Sequence, residues 1–177
     1  MIRKIRSEAE CAEVLGVLRE SFGTVAEQYG LTETVAATNP AFITKDRLEE
    51  YMNKPVEMFG LFLDEKMIGC VAIESSKNRP GVFYIERLAV VPSERHHGHG
   101  ASLLSYALGR IGERGCHSAS IGIMNENRVL KEWYQRQGFI ETERKKLAHL
   151  PFEVCFMSKE ISTRNPKEQQ GQGRLQL

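Results

Sequence analysis

The chain predicts an α/β fold, a mixed sheet with helices on both faces, and three observations support that class. Apolar residues recur at helical spacing in four separate segments, and the stretch from Glu57 to Val91 switches to strand-like runs broken by turn residues. Beyond Val91, helical and strand segments alternate. The 177 residues suffice for one compact domain and a tail, expected at residues 1–162 and 163–177.

Ile2 and Ile5 open a short strand. Ser7-Glu8-Ala9-Glu10 then has the spacing of a capping box, in which the serine hydroxyl and the glutamate three residues on each satisfy the other's backbone amide. The helix it opens carries Cys11, Val14, Leu15, Leu18 and Phe22 on one face, with Gly23 as its expected stop. Polar and turn-forming residues run from Gly30 to Pro40, after which Thr44 caps a short helix bearing Leu48, Tyr51 and Met52. Three strands follow as a meander: Met58 to Leu63, Met67 to Glu74 and Val82 to Val91. A glycine-containing loop, Arg95 to Gly100, leads into a third helix whose apolar face is Leu103, Leu104, Ala107, Leu108 and Ile111. Ser118 to Met124 makes the next strand, and Asn125-Glu126-Asn127 caps a helix with Val129, Leu130, Trp133 and Tyr134 that Gly138 ends. Phe139 to Lys145 and Phe152 to Lys159 close as a hairpin around Leu150-Pro151. The tail past Ser162 has almost no apolar residue to offset its ordering entropy, so disorder is expected there.

Composition excludes several function classes. With 24 Lys and Arg against 23 Asp and Glu, the net charge is +1 and implies no global attraction to nucleic acid or to a membrane surface. Cys11, Cys70, Cys116 and Cys155 are widely spaced singletons without a CxxC pair, as expected of reduced thiols. Nothing resembles a signal peptide or an apolar span, and the expectation is a cytoplasmic protein.

The segment from Leu88 through Pro92 to Ala101 takes an apolar strand straight into a helix N-terminus. Unbonded amides of a first helical turn point outward, the helix dipole favours negative charge, and Gly98 and Gly100 let a ligand approach the backbone, so phosphate is the natural guest. A P-loop would need Lys after the second glycine, where Ala101 stands; a dinucleotide fingerprint would need glycine at 103, where Leu103 stands.

The remaining pattern, Arg95-x-x-Gly98-x-Gly100, resembles the coenzyme A pyrophosphate loop of the GNAT superfamily of acyl-CoA dependent N-acetyltransferases. A second segment, Asn127-x-x-Leu130-x-x-Trp133-Tyr134-x-x-x-Gly138-Phe139, is similar to the family's other motif at every anchor. The resemblance covers about 160 residues and implies a mostly antiparallel sheet of about seven strands with about four helices, splayed in a V between the fourth and fifth strands.

It also implies roles. Arg95, His96, His97, Gly98, His99, Gly100 and Ala101 would wrap the pyrophosphate of acetyl-CoA, partly protonated imidazoles adding positive charge. Main-chain groups of Leu88, Ala89 and Val90 would meet the pantetheine arm, with an amide near Leu88 polarising the acetyl carbonyl. Asn127 would contact the same arm, or serve only as an N-cap. Tyr134 would protonate the departing thiolate, unless it is merely part of an apolar helix face. Glu86, a carboxylate in an apolar strand, is the candidate base or acceptor ligand; the bland alternative is an ion pair with a nearby Arg or Lys. Strand alternation places Tyr84, Glu86 and Leu88 on one face and Ile85, Arg87 and Ala89 on the other.

Tyr29, His149 and Phe152 are candidates for an acceptor pocket opposite the coenzyme. No metal is expected, because no acidic or cysteine ligand accompanies His96, His97 and His99 at a recognisable spacing. The implied activity is direct acetyl transfer from acetyl-CoA to a primary amine, through a ternary complex and without a covalent enzyme intermediate, most simply of a small molecule. Alternatives are a protein N-terminus or lysine, which an acidic groove of Glu49, Glu50 and Glu57 would favour, a hydroxyl acceptor, or a non-catalytic acyl-CoA sensor. A homodimer is possible on the resemblance.

Overall fold

The computed structural model describes residues 1–161; the expected tail at 163–177 lies outside them. Seven strands form one sheet in the order β1-β2-β3-β4-β5-β7-β6. These are β1 (Ile2–Lys4), β2 (Val56–Leu63), β3 (Lys66–Ser75), β4 (Val82–Val90), β5 (Ser118–Met124), β6 (Ile140–Lys146) and β7 (Glu153–Glu160). Every neighbouring pair is antiparallel except β4 and β5, which run parallel because α3 (His99–Gly112) carries the chain back between them. The other helices are α1 (Glu8–Gln28), α2 (Lys45–Met52) and α4 (Arg128–Arg136). No helix among the described residues is long and apolar enough to cross a membrane.

Local signals act as expected at most boundaries. The Ser7 hydroxyl accepts from the Glu10 amide, and Glu10 reaches back to the Ser7 amide. Thr44 caps α2 by accepting from Arg47, and Asn127 caps α4 by accepting from Leu130. Gly138, at φ +86, ends α4 in the left-handed region.

Gly23 does not stop α1. The helix runs on to Gln28, because a mid-helix glycine costs only about 1 kcal/mol and the next turn buries Ala26 against the core. Gly30, at φ +63, is the residue that permits the turn out of the helix.

One apolar cluster joins both faces of the sheet. On one face α3 sets Leu103 near Gly69 and Tyr106 edge-on to Phe59, ring centroids 5.1 Å apart. The other face carries α2 with its neighbour α1, and Tyr51 of α2 reaches β4 there.

The alternation expected in β4 fails at one residue. Antiparallel partners share a face, and β3 pairs Ala72 with Glu86 but Cys70 with Ala89, so two residues of β3 span three of β4. Arg87 is the extra residue, held at φ +51. This bulge moves Ala89 to the face of Glu86 and Leu88 to the opposite one, and it turns Arg87 toward α2 beside Glu86.

The capping box has an electrostatic consequence. The Arg3 guanidinium, then the amides of Arg6 and Ser7, hold the Glu10 carboxyl down at about 2 against an ordinary 4.5. A depressed carboxyl stabilises the fold above its unfolded value and loses that contribution as acid protonates it. Stability therefore falls as pH drops from about 4.5 toward 2, and Glu10→Gln flattens this part of the profile, measurable by urea denaturation across that range.

Candidate active site

The site begins where two strands part. β4 and β5 pair only at Val82 with Ser118, Phe83 with Ala119 and Tyr84 with Ser120. Beyond those three pairs they diverge, while β5 stays paired with β7 along its whole length. From Ile85 onward the backbone groups of β4 that face β5 have no strand to bond. The expected V-shaped slot is present, and Glu86, Leu88 and Val90, all half-buried, lie on its β4 side.

At one end of β4 stands the glycine loop. His96 (φ +65) and Gly98 (φ +82) both lie in the left-handed region, and Gly98 is the N-cap of α3 with no side chain to occupy that place. Among the described residues, the amides of His96 through Ala101 donate to no protein group, the first helical bond being from Ser102 to the Gly98 carbonyl. A Cβ built on Gly98 meets nothing within 4 Å, so the space at this residue is open. Unbonded amides at a helix start are of the kind that can receive an anion.

Arg95 is engaged by the protein itself. Its Nη2 donates to the Ser21 carbonyl at 2.8 Å, its Nη1 to the Thr24 hydroxyl at 3.1 Å and its Nε to the Val90 carbonyl at 3.2 Å. The guanidinium thus ties the loop to α1 and to the end of β4.

The histidines also have a partner that spacing hides. Glu94 Oε2 lies 3.8 Å from His99 Nε2, and the ligand atoms of Glu94, His97 and His99 all lie within 4.8 Å of one another. That set is chemically able to hold a divalent metal ion, and the stated ground for expecting none, the lack of an acidic neighbour, does not hold in the fold. His96 is outside the group.

Tyr134 lies close to this loop. A Cβ on Gly100 would meet the Trp133 indole at 3.6 Å, which brings the start of α3 against α4 and so joins the two sequence motifs. The Tyr134 ring is packed edge-on between Trp133 and Phe139, with centroids 4.8 and 5.4 Å away. Burial pushes its phenol above the ordinary range, so it is protonated at neutral pH and able to donate. Its hydroxyl bonds none of the described residues. Packing in the helix face therefore leaves the hydroxyl of this residue without a partner among the described residues.

Glu86 makes no ion pair among the described residues. Instead its Oε2 accepts a 2.8 Å hydrogen bond from the hydroxyl of Tyr51. Burial first, then the neighbouring Glu86 charge, raise the Tyr51 phenol, keeping it a donor to the carboxylate. Tyr51, the partner of the candidate base, is a residue that helical periodicity placed only in the apolar face of α2; no short-range signal links it to a strand 35 residues away. The other acceptor candidates make no side-chain hydrogen bond to Glu86 or Tyr51 among the described residues. Tyr29 is the C-cap of α1, bonded through its backbone, His149 is exposed in the β6–β7 turn, and Phe152 is half-buried beside it.

A family model described as acetyltransferase (GNAT) family matches residues 25–139, which spans β2 to α4 and every part of the slot, loop and Tyr134. The chain belongs to the GNAT acetyltransferase family. It is an acyltransferase. Solved GNAT structures share the fold: the ribosomal-protein-S18-alanine N-acetyltransferase from Escherichia coli is 14% identical, with 94% of this chain and 97% of that one covered at a TM-score of 0.72. The PaiA N-acetyltransferase from Thermoplasma acidophilum, solved in complex with coenzyme A, is 20% identical, with 90% and 98% covered at 0.73.

The Arg95 tie gives this GNAT loop a testable support. Arg95→Ala removes three hydrogen bonds from a charged donor and is expected to cost about 1–3 kcal/mol in urea denaturation. A loss within about 0.5 kcal/mol, the range of an ordinary surface change, would show that the loop stands without it.

Proposed function

We propose that residues 1–162 form one catalytic domain that transfers the acetyl group of acetyl-CoA directly to the primary amine of a small molecule. The observation that carries this reading is the arrangement around the β4–β5 slot. An amide-lined, open helix N-terminus stands at the end of β4, with a protonated tyrosine in the adjoining helix and a tyrosine-held carboxylate on the strand itself.

Acetyl-CoA supplies an activated thioester, and the chain supplies position and proton traffic. The amides of His96, His97, Gly98, His99, Gly100 and Ala101 hold the pyrophosphate; the free main chain of Leu88, Ala89 and Val90 takes the pantetheine arm as a strand would. The Val90 carbonyl already accepts from Arg95, and its second lone pair leaves it able to do both. The Asn127 side-chain carbonyl is bound to the Leu130 amide, which leaves its NH₂ for the arm. Glu86 accepts the proton released by the amine, directly or through one water, and Tyr134 donates to the sulfur.

A small acceptor fits the surrounding charges better than a basic peptide. Glu57 is bonded to Lys4 and to Arg114, and Glu49 pairs with Lys45, so two of the three acidic residues that would form a peptide groove are neutralised on the protein.

Calorimetry with acetyl-CoA, with ATP and NAD as controls, tests the first half of the reading, and thiol release over a panel of amines tests the second. Gly98→Val puts a β-branched residue at φ +82 and is expected to weaken acetyl-CoA binding by at least about tenfold. Tyr134→Phe should leave that affinity unchanged and lower kcat for thiol release by about 100-fold. Absence of binding at millimolar acetyl-CoA would overturn the proposal, and binding without turnover of any amine would leave a sensor in its place.

A further inference from the structure

Proton transfer makes no use of Arg87, yet the fold places its charge with care. The β4 bulge sets the guanidinium carbon 3.8 Å from the centroid of the Tyr51 ring, on the same phenol whose hydroxyl holds Glu86. Among the described residues Arg87 enters no ion pair, and its Nε and Nη1 are shut off from water without a hydrogen-bond partner. The aromatic face recovers part of the desolvation of a cation, but two unpaired N–H donors remain costly.

Among the described residues no carboxylate forms an ion pair with Arg87. Cys70, fully buried, donates its Sγ–H toward the Arg87 carbonyl, and burial pushes that thiol up to about 12, so it is neutral. Glu86 is held by Tyr51 and does not reach Arg87 as an ion pair. The two opposite charges therefore meet one phenol, Glu86 at its hydroxyl and Arg87 over its ring face, both half-buried, on the strand that borders the slot.

A ligand complementary to this pair carries an ammonium and a carboxylate a few bonds apart. We propose that Tyr51, Glu86 and Arg87 form an acceptor subsite for amino acids, in which Glu86 takes the amine to be acetylated and Arg87 takes the carboxylate. A polyamine would set a second cation against Arg87, and a peptide N-terminus has its nearest carboxyl tied up as an amide, so neither satisfies the guanidinium. In the step itself the ammonium first gives one proton to Glu86, which releases it to water; the free amine nitrogen then forms the bond to the acetyl carbon, the carbon–sulfur bond breaks as the thiolate takes a proton from Tyr134, and the second amine proton passes to Glu86 and through water restores the Tyr134 phenol. The carboxylate stays on Arg87 unchanged. This inference rests on the acetyl-transfer reading above and adds the acceptor class.

Matched acceptors differing only in the carboxylate test it: phenylalanine against phenethylamine, arginine against agmatine, lysine against cadaverine, each by thiol release from acetyl-CoA. The amino acid of at least one pair is expected to be favoured in kcat/KM by at least about tenfold, the worth of one charge-assisted hydrogen bond. Arg87→Met, which keeps an apolar stem, should raise KM for that amino acid by about tenfold or more and change KM for its amine partner by clearly less, so that the preference collapses; Arg87→Lys should restore part of it. Equal or better use of the plain amine in every pair overturns the subsite and leaves acetyl transfer standing. Turnover of no acceptor overturns transfer itself. In that case calorimetry of the same pairs on the coenzyme A-loaded protein decides the subsite, selective binding of an amino acid upholding it and binding of neither member rejecting it.

Discussion

The site depends on the parting of β4 from β5 after three paired residues. A sheet satisfies the backbone of each strand through its neighbours, so two strands that separate inside a sheet leave rows of donors and acceptors that the protein does not pair. Such a gap is tolerable only if something else fills it. Its lining follows from the same divergence: β4 contributes Glu86, Leu88 and Val90, and the turn beyond it delivers the chain to the start of α3 with its amides facing outward.

Two further devices hold the gap in shape. The first is the bulge at Arg87, which takes up one residue against β3 and lets β4 bend. That residue changes which side chains face α2, bringing a guanidinium and a carboxylate onto one tyrosine. The second is the packing of α3 against its surroundings. Arg95 ties the loop to α1, and Gly100 lets the start of α3 meet Trp133 of α4. The glycine loop and the helix of Tyr134 are therefore positioned by contacts between elements far apart in the chain.

Much of the fold was legible because its signals are local. Ser7 with Glu10, Thr44, Asn127 and Gly138 each act within four residues of where they stand, and the structure shows each of them working as a cap or a stop. Gly23 misled because helix propensity is a weak force beside the burial of Ala26 one turn later. The loop and the Tyr134 segment were legible as motifs, since spacing along the chain survives in the order of the elements. The contacts of Tyr51 and Glu94 were not, because their partners are reached only through tertiary packing or the folding of a loop.

Sequence by itself determined the order of strands and helices, the helix caps, the amide loop and the family, all of which follow from short-range periodicity and spacing. Tertiary structure alone decided where β4 leaves β5, that a bulge sets Arg87 beside Glu86 on Tyr51, that Arg95 ties the loop to α1, and that Tyr51 bonds the candidate base. The physical reason is common to them. Register and face in a sheet are set by pairing with another strand, and one unpaired residue reverses the face of everything after it, so no pattern read along a single strand contains that information.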